Sequence, residues 1–283
     1  MRYLFVPACV TAFALALAGG ATAGSSLTLH PAGFGTMSYS AWKAQQGTAD
    51  DQGSANEALY FQKMTSTATV AAGVAVINGV EGLPVDDLTG LSWWHREDGH
   101  CGAGAPRWNV GVQDNTGGRH TVLLGCNAAQ HTETGVTTNG FGWCQDTQPS
   151  PAAAIESATG VAAADLTITG LAIVFDEGND SVNPPPAGCA QDGIAGGFVY
   201  LDNIDVQIDG MDHCWTSASD NGNAPPAACD PPAGTSVTGS TASLGLPAGL
   251  SVDPADAALV TGMAIAAPSV PLAAWLLYPS VIY

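Results

Sequence analysis

The stretch GGFVYLDNIDVQIDG, residues 196 to 210, has the composition of a β-strand but changes phase in its middle. The apolar residues stand on one phase before Asp202 and on the opposite phase after Asn203: Val199, Leu201, Ile204, Val206 and Ile208. An extra residue at Asp202-Asn203, a β-bulge, would let both halves point apolar side chains to one interior. The alternative is a strand buried on both faces, but Asp202, Asp205 and Gln207 would then be costly to bury. We therefore favour a bulged strand with one buried face.

The rest of the chain has the composition of an all-β protein. Its 283 residues include 35 glycines and 18 prolines, and short apolar runs lie between turn residues. Amphipathic helical periodicity is nearly absent, and only residues 150–160 predict a helix, with Ser150 as N-cap and Pro151 at the first position. Seven strands are expected: Ala58–Thr65, Thr69–Asn78, Leu88–Trp94, Arg107–Gln113, Arg119–Cys126, Leu166–Asp176 and Gly197–Ile208.

One hairpin can be placed in register from the sequence. The runs RWNVGVQ (107–113) and RHTVLLGC (119–126) flank a glycine-rich loop centred on Thr116. This centre pairs Val110 with Val122, and Trp108 with Leu124, on one apolar face. The other face carries side chains suited to water or a polar ligand: Arg107, Asn109, Gln113, Arg119 and Thr121.

The N-terminus has the pattern of a secretory signal peptide over residues 1–23. Arg2 precedes an apolar run, and Ala21-Thr22-Ala23 forms an A-x-A cleavage site. Losing Arg2 leaves five basic residues against 25 acidic ones and changes the formal net charge from −19 to −20. Such a charge repels nucleic acids and anionic lipid headgroups, so both are excluded as partners.

Six cysteines remain after removal of the signal peptide, and an even number in an exported chain predicts disulfides. They are Cys101, Cys126, Cys144, Cys189, Cys214 and Cys229. The hairpin register permits a bridge from Cys101 to Cys126, but six cysteines can be paired in fifteen ways. Cys214 and Cys229 could close a local loop. Zinc at His95, His100 and Cys101 is the alternative, although no second cysteine lies two to four residues from Cys101.

LAIVFDEGND (171–180), followed by GGFVYLDNIDV (196–206), resembles the closing strand pair of bacterial extracellular jelly-roll modules. The last strand of such modules often reads aromatic-x-Asp-Asn-Ile-x-Val, and carbohydrate-binding modules and galactose-binding-like domains share that ending. CGAGAPRWNV (101–110) and LLGC (123–126) are also similar to secreted proteins with no assigned activity. The resemblance covers about residues 55–210 and implies a two-sheet antiparallel β-sandwich of jelly-roll type, here stapled by disulfides.

The composition changes after residue 210. Residues 211–256 are rich in Pro, Gly and Ser and predict a flexible linker, so the sandwich is expected over residues 24–210. Residues 257–283 carry no charge and are interrupted by prolines. Within them, Val270–Leu277 resembles an exosortase-type sorting signal, but without the second proline of its motif or the basic tail. The resemblance implies a secreted or cell-surface protein that contacts a membrane only through this sorting or anchor segment.

No motif of a known enzyme class identifies a reaction, and we assign no catalytic residue. The sequence lacks G-x-S-x-G, H-E-x-x-H, a P-loop and a dinucleotide fingerprint. Glu97 and Asp98 are adjacent, so on a strand they point to opposite faces. They cannot by themselves form the carboxyl pair, about 5 Å apart, of a retaining glycosidase.

An acidic turn predicts a structural Ca²⁺ site. Asp176, Glu177 and Asp180 follow a predicted strand, with Asp202 as a further oxygen donor. Calcium takes six to eight oxygen ligands and tolerates irregular geometry. The alternative is a solvated turn with Gly178 in the left-handed conformation.

Adjacent tryptophans suggest a sugar site, since one of Trp93 and Trp94 should face away from the core. An exposed Trp94 could stack on a sugar while polar neighbours donate hydrogen bonds: His95, Arg107, Asn109 and Arg119. The alternative places Trp94 beneath a loop. The leading hypothesis is a non-catalytic surface or matrix protein that contacts polysaccharide. The alternatives are a secreted glycan hydrolase using Glu97 or Asp98, and a purely architectural domain.

Overall fold

The computed structural model describes residues 26–49, 56–102, 104–181 and 196–220, together with Cys189, Gly222 and Cys229. The predicted signal peptide, residues 1–23, and the predicted sorting segment, residues 257–283, lie outside the described residues. Within these ranges the chain forms twelve strands and one α-helix. The strands are β1 Thr28–Phe34, β2 Ser38–Lys43, β3 Ala58–Lys63, β4 Ala72–Asn78, β5 Leu88–Arg96, β6 Arg107–Asp114, β7 Arg119–Gly125, β8 Gln130–Thr138, β9 Phe141–Thr147, β10 Leu166–Phe175, β11 Phe198–Ile208 and β12 Met211–Trp215.

The strands form two antiparallel sheets packed face to face, which confirms the predicted jelly-roll-type sandwich. The first sheet has the order β1-β4-β10-β6-β7, and the second has the order β2-β3-β11-β5-β9-β8, with β12 paired to β11. All seven predicted strands are present within two or three residues of their expected ends. The 107–126 hairpin has the predicted register, with Val110 opposite Val122 and Trp108 opposite Leu124.

The phase change in β11 is a β-bulge, as predicted. Pairing with β5 shifts between Asp202 and Asp205, and Asn203 has a left-handed φ of 45°. The apolar side chains on both sides of the bulge lie in the same core. The expectation that the acids of this strand avoid burial is wrong for two of them, because Asp202 and Asp205 are buried, with 1% and 8% of their surfaces exposed. Asp202 has identified partners. Its carboxylate accepts hydrogen bonds from the N–H and hydroxyl of Thr48, which offset the cost of burial.

The core lies between the two sheets, and the Cys101–Cys126 disulfide forms part of it. Trp93 from the second sheet stacks on Trp108 from the first, with ring centroids 4.8 Å apart. All six cysteines of the expected mature chain are paired, which confirms the prediction of three bridges: Cys101–Cys126, Cys144–Cys189 and Cys214–Cys229. Cys101 is therefore bridged to a strand end rather than placed in a zinc knuckle.

Two expectations about local structure need correction. Helix α1 spans Pro151–Thr159 as predicted, but Ser150 has a left-handed φ of 50° and makes no side-chain cap hydrogen bond. The sandwich also continues beyond residue 210, because β12 extends the sheet into the segment expected to be linker. No helix among the described residues is both long enough and apolar enough to cross a membrane.

Candidate functional site

The structure does not bring the predicted sugar-binding residues together. Trp94 and His95 lie in the second sheet and are buried, with 2% and 0% of their surfaces exposed. Arg107, Asn109 and Arg119 lie on the hairpin of the first sheet. The Arg107 guanidinium is occupied by both carboxylate oxygens of Asp176, at 2.5 and 2.7 Å, and its Nε donates to Asn109. The stacking surface expected at Trp94 is therefore not formed.

Trp94 is buried, and the described part of the β2–β3 loop, residues 44–49, is bound by the nearby Asp202 and Arg96. On the outer face of the second sheet Trp94 packs with Trp143, Ala58, Val136 and Tyr200. Asp202 binds Thr48 of the loop, at 2.6 Å to the backbone nitrogen. Arg96 donates to the backbone and side-chain oxygens of Gln46, at 3.2 and 2.8 Å. Buried charged groups of the sheet thus hold this loop in place.

Next to the loop, the same outer face carries four aromatic side chains, which we call the aromatic belt. The belt consists of Tyr39 from β2, Tyr60 from β3, and Phe198 and Tyr200 from β11. Tyr60 lies at the centre, with its ring centroid 5.9 Å from Tyr39, 6.2 Å from Phe198 and 4.7 Å from Tyr200. Tyr39 is 37% exposed and the other three are partly exposed, so the belt forms an apolar surface open to solvent.

Polar side chains lie beside the rings of the belt. The Lys43 ammonium lies 5.3 Å from the Tyr39 centroid and 5.9 Å from that of Tyr60. The Tyr60 hydroxyl donates to Gln62 Oε1 at 3.1 Å. At the other end, the Arg96 guanidinium stacks on Tyr200 at 3.8 Å, which fixes that ring. The belt therefore combines flat apolar rings with an amide and an ammonium.

Burial, followed by the charges of Tyr200 and Tyr39, raises the pKa of Tyr60 to about 12. Its hydroxyl therefore stays protonated at physiological pH and remains a neutral hydrogen-bonding group. Aromatic rings of this kind stack on apolar ligand faces, while neighbouring polar groups fix orientation. The arrangement is suited to non-covalent binding.

The aromatic belt was not predicted, because the adjacent Trp93 and Trp94 were the aromatic residues expected to form a sugar site. The sequence does contain a signal for the belt, which is the alternation of outward-facing and core residues along β3 and β11. In ALYFQK (58–63) Tyr60 and Gln62 alternate with the core residues Leu59 and Phe61, and in FVYL (198–201) two aromatics stand on the outward phase.

The candidate catalytic acids are both engaged within the protein. Asp98 accepts two hydrogen bonds from Arg96, at 2.6 and 3.0 Å. Glu97 lies next to Glu133 of β8, and the pKa of Glu97 is raised by burial first and then by the charge and hydrogen bond of Glu133. A raised pKa beside a second carboxyl is the behaviour of two groups that share a proton.

The four carboxylates predicted to bind calcium contact different protein groups: Asp176 binds Arg107, Glu177 binds His100, Asp180 binds Thr67, and Asp202 binds Thr48. The Lys63 ammonium in addition donates to the backbone oxygen of Asp176 at 2.6 Å. Arg107 and Lys63 thus neutralise part of the negative charge on which the prediction of Ca²⁺ was based. Calcium binding at these residues stays a prediction.

A second polar cluster, centred on Asp146 of β9, lies buried between the sheets. Its carboxylate accepts a hydrogen bond from Trp93 Nε1 at 2.8 Å, and lies 2.5 Å from His95 Nδ1 and 2.7 Å from His131 Nδ1. Burial alone would raise the pKa of Asp146, but the two imidazoles outweigh it and the pKa is lowered. A carboxylate that stays ionised in the core is therefore stabilised by two imidazoles.

Potential metal ligands among the described residues converge on this same carboxylate. His95, Cys101, Cys126 and Asp146 offer ligand atoms within 4.8 Å of one another, and so do His131, Cys144 and Asp146. The cysteines of both groups are bridged as disulfides. Neither group includes a predicted calcium ligand.

Comparison with models of known protein families gives no match for the chain. Comparison with curated proteins likewise finds no similar sequence.

Proposed function

We propose that the protein is an exported, non-catalytic binding protein whose aromatic belt holds a neutral polysaccharide. The observation that carries the proposal is the group of four neighbouring, solvent-accessible rings around Tyr60, with centroid separations of 4.7 to 6.2 Å. Tyr39, the most exposed of the four rings, can stack on the C–H face of a sugar, and Gln62 and Lys43 can donate hydrogen bonds to sugar hydroxyls.

Export is supported by the three disulfides, because bridges of this kind persist in oxidising compartments. It is also supported by the signal-peptide pattern of residues 1–23. In this proposal the sandwich acts at the cell surface or in the extracellular matrix.

The charge of the chain selects among glycans. The exported chain, with a formal net charge of −20 after loss of Arg2, repels acidic polysaccharides at long range, and Lys43 is the basic residue beside the exposed Tyr39. Stacking, by contrast, depends on contact area and is insensitive to net charge. We therefore expect uncharged chains such as cellulose, chitin or xylan to bind better than polyuronates.

The test is co-sedimentation of the protein with these insoluble polysaccharides, comparing wild type with Tyr39→Ala. Loss of one stacking ring should cost about 1 kcal/mol, or roughly a fivefold weaker Kd. The matched control is Leu123→Ala, since Leu123 is 52% exposed on the opposite sheet and its loss should leave binding unchanged. Equal binding by Tyr39→Ala and wild type, or no retention of the wild type on any of the glycans, would refute the proposal.

The hydrolase alternative is less well supported by the geometry of its acids. Glycosidase carboxyls stand about 5 Å apart or more, so that a sugar or a water fits between them. Glu97 is paired with Glu133, and Asp98 accepts two hydrogen bonds from Arg96, so both acids are engaged by groups of the protein itself. Release of reducing ends from a bound glycan, abolished by Glu97→Gln, would overturn the non-catalytic assignment.

A further inference from the structure

We propose that His95, Cys101, Cys126 and Asp146 form a zinc site when the Cys101–Cys126 disulfide is reduced. His95 lies in β5, Cys101 in the loop before β6, Cys126 directly after β7, and Asp146 in β9. Disulfide and zinc are alternative states of the same two sulfurs. The site is separate from the aromatic belt and does not depend on the proposed binding of polysaccharide.

The first argument is geometric. The four ligand atoms all lie within 4.8 Å of one another. In a tetrahedral zinc site with bonds of about 2.0–2.3 Å, ligand atoms are roughly 3.3–3.8 Å apart. Cys126 Sγ already lies 3.3 Å from Asp146 Oδ2. Two pairs of atoms must move apart: the two sulfurs, now bonded to each other, and His95 Nδ1 and Asp146 Oδ2, now 2.5 Å apart. Both changes require side-chain rotation rather than a new backbone path.

The second argument is the chemistry of the donor set. Two thiolates, an imidazole and a carboxylate are all accepted zinc ligands, and thiolates favour Zn²⁺ over Ca²⁺ or Mg²⁺. The four residues are at most 4% exposed, which is the setting of a closed structural site.

The third argument is that Asp146 is already oriented from outside the proposed ligand set. Trp93 Nε1 lies 2.8 Å from Oδ2, and His131 Nδ1 lies 2.7 Å from Oδ1. Hydrogen bonds of this kind hold ligating carboxylates in most metal sites. The proposed binding of polysaccharide gives no role to a buried carboxylate with these partners.

The redox step balances with a phosphine reductant. The phosphine attacks one sulfur, the S–S bond breaks, and water supplies the oxygen of the phosphine oxide and the protons of two thiols. Zn²⁺ then binds both sulfurs and releases two protons, so that binding should weaken as pH falls. Reoxidation by a disulfide-forming oxidant removes two electrons, restores the bridge and expels the metal.

The experiment uses the full chain, reduced anaerobically with a water-soluble phosphine and titrated with Co²⁺ as a spectroscopic substitute for Zn²⁺. We expect one equivalent to produce the intense visible absorption of tetrahedral cobalt and a thiolate charge-transfer band. Zn²⁺ should abolish both signals. The oxidised protein should show neither.

Paired serine variants locate the site. Cys101→Ser with Cys126→Ser should lose the charge-transfer band, whereas Cys214→Ser with Cys229→Ser, the matched control, should keep it. Cys144→Ser with Cys189→Ser should also keep it, since these cysteines are outside the proposed ligand set. The proposal is overturned if the band survives in the Cys101→Ser, Cys126→Ser variant and disappears in the Cys144→Ser, Cys189→Ser variant. That result would place the metal at His131 and Cys144 instead.

Folding is followed in the same samples by circular dichroism. If the reduced wild type keeps its β-sheet spectrum and gives no thiolate band, the proposal is wrong. It is also wrong if reduction unfolds the wild type and metal does not restore the spectrum, because the four ligands meet only in the folded sandwich.

Discussion

Replacing Lys63 by methionine should destabilise the sandwich strongly, although no ligand or disulfide is touched. Lys63 ends β3, and its side chain is 1% exposed. Its ammonium donates to three backbone oxygens, those of Thr67 at 3.0 Å, Thr69 at 2.8 Å and Asp176 at 2.6 Å. The ammonium thereby joins the segment after β3 to the end of β10. Methionine fills a similar volume but leaves the three oxygens without this donor.

The size of the effect follows from two opposed contributions. Burial lowers the pKa of Lys63, so its charged form is less favourable here than in water. Against this, hydrogen bonds from a charged donor contribute about 1.5–3 kcal/mol each. Water can replace the ammonium at the oxygens of Thr67 and Thr69, because both residues are exposed, so the full sum of three bonds is not lost. The loss of the bond to Asp176 and part of the other two still outweighs the gain from no longer burying a charge, and we expect a loss of about 2–4 kcal/mol.

The assay is urea denaturation of the oxidised protein, followed by tryptophan fluorescence and circular dichroism. A loss of that size corresponds to a fall in Tm of about 10 °C for a domain of this length. Lys43→Met is the matched control, because Lys43 lies on the solvent side of β2 and should change stability by about 0.5 kcal/mol or less. If the Lys63 and Lys43 variants unfold at the same urea concentration, the ammonium does not hold these oxygens and the reasoning is refuted.

Two further predictions concern pH and calcium. The raised pKa of Glu97 means that the folded protein holds the shared proton more tightly than the unfolded chain; its stabilising effect is full below the ordinary value of 4.5 and is lost as pH rises through the raised value. Urea midpoints measured across this window should therefore fall with rising pH more steeply for wild type than for Glu97→Gln, and parallel curves would contradict the shared proton. If Asp176, Glu177 and Asp180 hold Ca²⁺, a chelator should lower the Tm and added Ca²⁺ should restore it. An unchanged Tm in both conditions would remove the calcium prediction.

Local alternation made much of the fold predictable. The 107–126 hairpin could be placed in register because a glycine-rich loop joins two strands whose apolar residues alternate without a break. Five strands, β1, β2, β8, β9 and β12, were not predicted, and two of them show where the signal of alternation fails. β8, QHTETGVTT, is an edge strand that is mostly polar and exposed, and β12 has five residues and extends into a segment rich in turn formers. Neighbouring strands, rather than an apolar run, define both elements.

Acidic residues that are buried in the structure were harder to predict than the strands. Asp202 was expected on the surface because an isolated carboxylate is costly in a core. Its partner Thr48 is 154 residues away in sequence, and Asp146 meets His95 from 51 residues away. A polar side chain is therefore wrongly expected at the surface wherever a partner far away in sequence offsets the free-energy cost of burying it. Such partners can be identified only once the strand order is known.

The aromatic belt depends on the same bulge that defines β11. Before Asp202 the outward positions of β11 are Phe198 and Tyr200; after the bulge they are Asp205 and Gln207, because Ile204 and its alternate neighbours return to the core. The inserted residue thus ends the aromatic part of the outer face at the point where the Asp202 carboxylate holds the β2–β3 loop. A regular strand would keep one parity throughout, so that outward aromatics before Asp202 would be followed by outward isoleucine and valine. One extra residue therefore limits the belt to the strand half beside Tyr60 and keeps the other half of β11 in the core.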